Sequence, residues 1–143
     1  MSIVYALATP VAKSAICIFR VSGEGCLDRL SVLFGDVSIP PRTFSVRPFY
    51  NSGLLVDTVG VLVFSGGKSY TGEDSFEVHA HGGLGVMSLI TEAFDSIGFE
   101  EAAPGEFTKR AFLNNKIDLN EAESVLDVID SASADDVYLS SKS

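Results

Sequence analysis

The run Ser75-Phe-Glu-Val-His-Ala-His81, followed at once by Gly82-Gly83, constrains this chain more than any other stretch. Its strict alternation puts Phe76, Val78 and Ala80 on one face of a strand and Glu77, His79 and His81 on the other. The first face suits a core; the second carries a carboxylate and two imidazoles. An apolar helical pattern opens after the glycine pair, where a ligand can approach the backbone closely. A strand edged this way marks a candidate site.

The 143 residues suffice for about one domain. A hydrophobic share of 46% and a mean hydropathy of +0.29 allow a well-filled core. No apolar run reaches the roughly 20 residues of a membrane span, and the N-terminus lacks the basic and apolar regions of a signal peptide. Cys17 falls in an apolar strand and Cys26 opens a helix, which suggests reduced thiols and a cytoplasmic protein. The net charge of −9 argues against a domain that coats nucleic acid, which would show a basic stripe. The late acids Asp118, Glu121, Glu123, Asp127, Asp130, Asp135 and Asp136 read as a solvated helix face.

Ile3 to Leu7 and Ala15 to Val21 read as strands, the second central because both its faces are apolar. Ser22-Gly23 is expected to start a helix running to Phe34, with Leu27, Leu30, Leu33 and Phe34 inward and Gly35 as its stop. Pro40-Pro41 marks a loop. Arg42 to Tyr50 and Leu54 to Phe64 flank the hairpin connection Asn51-Ser52-Gly53. A helix over Leu84 to Ile97 carries Val86, Leu89, Ile90 and Phe94 at helical spacing, and a short strand follows near Phe99. Pro104 suits a first helical turn, so a short helix spans Gly105 to Leu113. Asp118-Leu-Asn-Glu121 resembles a capping box leading a helix with Ala122, Val125, Leu126, Ile129 and Ala132 inward. That stripe either folds back on the α/β part or belongs to a further helical domain, of which the tail Tyr138 to Ser143 supplies no second helix.

Gly67-Lys68-Ser69 imitates a phosphate loop, but the pattern needs a glycine where Leu62 stands and a helix where Tyr70-Thr71-Gly72 continues as loop. Glu77, His79 and His81 suit zinc by chemistry. On one strand, however, they span about 13 Å, too far for a single ion. His79 alone reads as a packed or hydrogen-bonded histidine. Among the few cations, Lys109 and Lys116 read as solvated. Arg20, at the end of an apolar strand, needs an anionic partner if buried, and Glu77 is the candidate.

Several words carry a family resemblance. Thr71-Gly-Glu-Asp74, then Glu77-x-x-x-His81-Gly-Gly, then Pro104-Gly-Glu-Phe-Thr-x-Arg-Ala-Phe112 and Asn114-x-Lys-x-Asp-Leu-x-x-Ala-Glu123 occur in order, after Ala8-Thr-Pro10 and Arg20-Val-Ser-Gly23. In these the chain resembles the tRNA-modification GTPase family MnmE, also called TrmE, from about Ile3 onward. The resemblance implies an N-terminal domain similar in fold to the tetrahydrofolate-binding domains of one-carbon enzymes. It also implies a bound 5-formyl- or 5,10-methylene-tetrahydrofolate, and a symmetric homodimer with folate near the interface. The family's folate-contacting arginine, glutamate and lysine fall on Arg20, Glu77 and Lys116. A carboxylate can accept from the pterin's amide and amino edge, and the glutamyl tail favours a cation.

One departure stands out: the family's glycine-rich loop after Thr9-Pro10 reads Val11-Ala-Lys-Ser-Ala15 here, which would be strained wherever a positive φ is needed. The expectation is an α+β protein with a mixed sheet and flanking helices. Residues 1–117 would form the folate-binding and dimerisation domain, and 118–143 the start of a truncated helical domain. GTP, magnesium and potassium would belong to a GTPase domain outside this chain, and the family's reactive C-terminal cysteine also lies beyond it. A flavoprotein similar to MnmG and tRNA would be partners of the full-length protein, acting on a wobble uridine. No catalytic residue is assigned to this segment. Two other functions fit less of the pattern: a stand-alone folate-dependent aminomethyl- or methyltransferase, and a structural dimerisation module without folate.

Overall fold

The computed structural model describes residues 1–35 and 38–129. Six strands form one mixed sheet: β1 (Val4–Leu7), β2 (Ile16–Ser22), β3 (Ser45–Asn51), β4 (Leu54–Phe64), β5 (Ser75–His81) and β6 (Glu100–Glu101), in the spatial order β3-β4-β5-β2-β1-β6. Neighbours run antiparallel except β1 and β6. The helices are α1 (Leu30–Phe34), α2 (Leu84–Ser96), α3 (Glu106–Leu113) and α4 over residues 119–129. This is the expected α+β architecture with a mixed sheet.

Alternation decides which face of the sheet is covered. Cys17, Phe19 and Val21 of β2, Phe76, Val78 and Ala80 of β5, and Val59, Val61 and Val63 of β4 are all buried on one face. Leu33 and Phe34 of α1 and Met87, Ile90, Ala93 and Phe94 of α2 complete the same core. Phe94 is its hub, with ring centroids 5.1 Å from Tyr5, 5.8 Å from Phe19, 5.9 Å from Phe49 and 5.7 Å from Phe99. Tilted, edge-on and, for Phe99, stacked pairs such as these add stability beyond buried area. The edge strand β3 tolerates Pro48 because an edge has no ladder partner on one side. Ser52 (φ 50°) and Gly53 (φ 83°) close the β3–β4 hairpin with the paired positive φ values that match strand twist.

Several expectations are corrected. β2 is interior, as expected, but among the described residues α1 and α2 pack on the Cys17, Phe19 and Val21 face, and Ile16 of the other face is 56% exposed. The helix foreseen from Ser22-Gly23 starts later, as a 3-10 turn over Cys26–Arg29 leading into α1. Gly23 and Gly25 hold φ at 152° and 86°, outside helical values, and a Cβ at Gly23 would strike Ile3. In α2 the inward residues are Met87 and Ala93 beside Ile90 and Phe94, while Leu89 is 42% exposed. Helix α3 opens at Glu106, two residues after Pro104, because Gly105 takes φ 80°. The Val11–Ala15 loop contains no positive-φ residue, so the strain anticipated there does not arise.

Asp118 caps α4 as expected: its carboxylate accepts from the Glu121 N–H at 2.8 Å, and Glu121 accepts from the Asp118 N–H at 3.4 Å. Ala122 is buried, and Leu126 lies against Gly105. Val125 is 39% exposed. Ala132, the tail and Asp130, Asp135 and Asp136 lie outside the described residues.

Candidate functional site

The uncovered sheet face carries the polar half of the β5 alternation. Register sets Arg20 of β2 directly opposite Glu77 of β5, with Leu62 of β4 on the far side. Paired residues of antiparallel strands share a face, so the Arg20 Nε donates to Glu77 Oε2 at 2.8 Å. His79 Nε2 donates to the other oxygen, Oε1, at 3.0 Å. Burial works against the charge on Glu77, but the hydrogen bonds and charge of Arg20 and His79 outweigh it and hold the carboxyl below its ordinary value. The Arg20 side chain is nevertheless 48% exposed against 19% for Glu77, so the pair is open to solvent from the arginine side.

Beside this pair lies a cavity of about 310 Å³ lined by Arg20, Phe64, Lys68, Ser69, Tyr70, Ser75 and Glu77. Two aromatic rings and a mixture of opposite charges make a small-molecule site of the usual kind, apolar walls with a few placed polar groups. Glu77 keeps acceptor capacity, since a carboxylate offers about four lone-pair sites and two are used.

The rest of the polar face goes elsewhere. His81, with its side chain 75% exposed, donates from Nδ1 to Asp57 at 2.8 Å. Burial opposes ionisation of Asp57, but N–H groups of His81 and Thr58 and the His81 ring lower its pKa on balance. The two histidines thus face separate carboxylates, and among the described residues no group of His, Cys, Asp and Glu gathers as a metal site. Gly82 is a close-approach glycine, as expected, but the neighbour is the chain itself: a Cβ there would strike the Ser14 carbonyl. Ser14 N–H donates to Gly82 O at 3.2 Å. Gly66–Lys68 is one 3-10 turn followed by extended Ser69, not the helix that a phosphate loop requires.

The cavity's outer wall, residues 65–74, is fastened from behind by α3 and the residues after it. Arg110 is only 2% exposed, and its Nη1 donates to Glu73 Oε1 at 3.1 Å and to Ser22 O at 3.4 Å. Glu73 also accepts from the Ser22 hydroxyl at 2.9 Å. Asn114 Nδ2 donates to Thr71 O at 2.9 Å, and the Tyr70 and Thr108 hydroxyls meet at 3.2 Å. Gly72, at φ 79°, lets Asn114 come close. Finally Lys116 Nζ donates to Gly67 O at 2.7 Å.

Of the three residues expected to form the site, the structure brings Arg20 and Glu77 together, while Lys116 bonds the carbonyl of Gly67, next to the cavity residue Lys68. The buried guanidinium is Arg110, not Arg20. A sequence signal for this exists, because Arg110 sits between Phe107 and Ala111 on the inward stripe of α3. Lys68 was also missed as a cavity residue, since a loop cation has no periodicity to betray it. Cys17 and Cys26 are free and buried, and burial pushes the Cys26 thiol up to about 12. Among the described residues no helix is long and apolar enough to cross a membrane.

Comparison with known proteins places this architecture. The profile of the family described as GTP-binding protein TrmE N-terminus matches residues 3–116. The chain is similar to the tRNA modification GTPase MnmE of Neorickettsia sennetsu, with 40% identity over 99% of this chain and 26% of the relative. It is 46% identical to that of Maricaulis maris over 89% of this chain and 29% of the relative. For that of Ehrlichia canis the identity is 43%, over 92% and 30%. The chain therefore spans under a third of the length of these relatives. With its motifs in order along the matched residues, it belongs to the TrmE N-terminal family.

Proposed function

We propose that this chain is the reduced-folate-binding, self-associating N-terminal part of an MnmE-like tRNA modification GTPase, in a fold similar to the folate-binding domains of one-carbon enzymes. The observation that carries the folate reading is the Arg20–Glu77 pair at the mouth of an aromatic-walled cavity. A pterin presents amide and amino donors along one edge, which the free lone pairs of Glu77 can accept by charge-assisted bonds. The neighbouring rings of Phe64 and Tyr70 suit a flat aromatic ligand. Arg20 keeps Glu77 ionised, and Lys116 supports the cavity's outer wall through Gly67. The ligand would be 5-formyl- or 5,10-methylene-tetrahydrofolate, a one-carbon donor for wobble-uridine modification.

In that reading GTP with its magnesium and potassium, tRNA and an MnmG-like flavoprotein are partners of the whole protein, in the cytoplasm. This chain binds and associates and supplies no catalytic group of its own. Self-association is supported by Ile16, Phe44 and Val46, each more than half exposed on or beside the open face. Light scattering is expected to give twice the 15.2 kDa chain mass; a mass near 15.2 kDa up to hundred-micromolar concentration would remove the dimer. Calorimetric titration with 5-formyltetrahydrofolate is expected to show saturable binding that Glu77→Gln weakens. If the parent chain takes up no folate, a structural dimerisation module replaces this reading.

A further inference from the structure

Resting on the folate reading above, we infer that His79 is the positioning residue of the candidate site: it fixes the Glu77 carboxylate so that its oxygens meet the ligand's adjacent N–H donors in one orientation. The last torsion of a glutamate side chain is broad, so a single donor does not settle which way the carboxylate faces. Here each oxygen has its own donor. Arg20 Nε, from β2, holds Oε2 at 2.8 Å, and His79 Nε2, from β5 itself, holds Oε1 at 3.0 Å. With one bond made to each oxygen, each keeps a lone pair for a ligand. The two imidazoles of β5 divide in this respect. His81 is bound to Asp57 with its side chain 75% exposed, whereas the His79 side chain is 22% exposed and committed to Glu77.

The His79 ring is held in turn. Phe44, just before β3, meets it edge-on, with ring centroids 5.6 Å apart and planes at 88°. Register explains how Phe44 gets there. Gly60 of β4 stands directly opposite His79 of β5, and a Cβ on Gly60 would strike the Phe44 ring. The missing side chain leaves the slot that the ring fills, and an aromatic laid over a strand glycine restores packing that the glycine forfeits. Phe44 takes no part in the core on the other face of the sheet. Gly60, Phe44, His79 and Glu77 thus supply slot, ring, donor and acceptor in succession. Charge-assisted hydrogen bonds are the stronger kind of tie, and an acceptor fixed before the ligand arrives lowers the ordering cost of binding.

The test is calorimetric titration of 5-formyltetrahydrofolate into the parent chain, into His79→Gln, which keeps an N–H donor, and into His79→Met, which does not. The same two variants are titrated in a Glu77→Gln background. His79→Met is expected to lose about three- to tenfold in affinity, the ordering cost of one flexible side chain, while His79→Gln stays within about twofold of the parent. In the Glu77→Gln background the His79→Met loss should shrink below about twofold, because residues that act through one group are non-additive. A second readout needs neither ligand nor variant: nitrogen NMR of the His79 ring in the parent, at mildly alkaline pH, should show a proton on Nε2. Should His79→Met not fold, that ring proton decides. Equal losses for His79→Gln and His79→Met, no loss for either, or an undiminished loss in the Glu77→Gln background would overturn the inference, as would a ring protonated only on Nδ1. A parent chain that takes up no 5-formyltetrahydrofolate would overturn the folate reading, and the inference with it, which is a separate result.

Discussion

Two arginine–glutamate pairs sit on opposite sides of the same loop, and their environments give them opposite work. Arg20–Glu77 lies on the open sheet face with the arginine side chain 48% exposed, beside a cavity. Arg110–Glu73 lies under α3 with the arginine side chain 2% exposed; only Glu73 of this pair reaches a cavity, a separate and strongly acidic one of about 300 Å³ that it shares with Glu24 and Asp74. Residue types and distances are alike, 2.8 Å against 3.1 Å. What differs is desolvation. A buried pair resists losing one partner, because the other is left as an uncompensated charge. An open pair is worth little to stability but presents unsaturated charge to a ligand. One pair fastens the loop, and the other offers a site.

The largest effect expected from breaking that comparison is at the buried pair. Arg110→Met should destabilise the chain by about 3–5 kcal/mol, read by urea unfolding, since it strands Glu73 and frees the 65–74 loop. A loss below about 1 kcal/mol would put Arg110 on a par with surface pairs. Next comes Glu77→Gln, which should cost about 1 kcal/mol of stability or less yet weaken 5-formyltetrahydrofolate binding by about 1.5–3 kcal/mol by removing a charged acceptor. Arg20→Ala should weaken binding in the same direction.

A smaller signature appears in pH. The Glu77 carboxyl is held below its ordinary value in the fold, so its contribution to stability is present above the unfolded value of about 4.5. It disappears as pH falls through the lower folded value. The stability difference between parent and Glu77→Gln should therefore fade on acidification through that window; a constant difference would detach it from ionisation. Smallest of all, Lys116→Ala should cost about 1 kcal/mol or less in folate affinity, the worth of one exposed hydrogen bond to the Gly67 carbonyl.

How far residues could be read in advance follows the range of the forces involved. Alternation is local, so β5 was legible residue by residue, Ser75 to His81, with its buried and polar faces assigned. The Asp118 capping box spans four residues and was equally plain. The late start of α1 was not, because Gly23 takes its positive φ from close contact with Ile3, which no local pattern records. Arg20 was expected to need a partner through burial; it has the partner but not the burial, since it shares with exposed Ile16 the face of β2 opposite the core that α1 and α2 cover among the described residues. Arg110 and Glu73 stand 37 positions apart, in different sequence words, and only folding joins them. Lys68 gave no signal beyond its charge.

The most direct test of the open-pair claim is to follow backbone amide resonances while 5-formyltetrahydrofolate is added to the chain. The account predicts the largest shifts at Arg20, at Lys68 to Tyr70 and from Ser75 to His79, with α2 nearly still. Saturation with the largest shifts in α2, or no shifts at millimolar ligand, would contradict it.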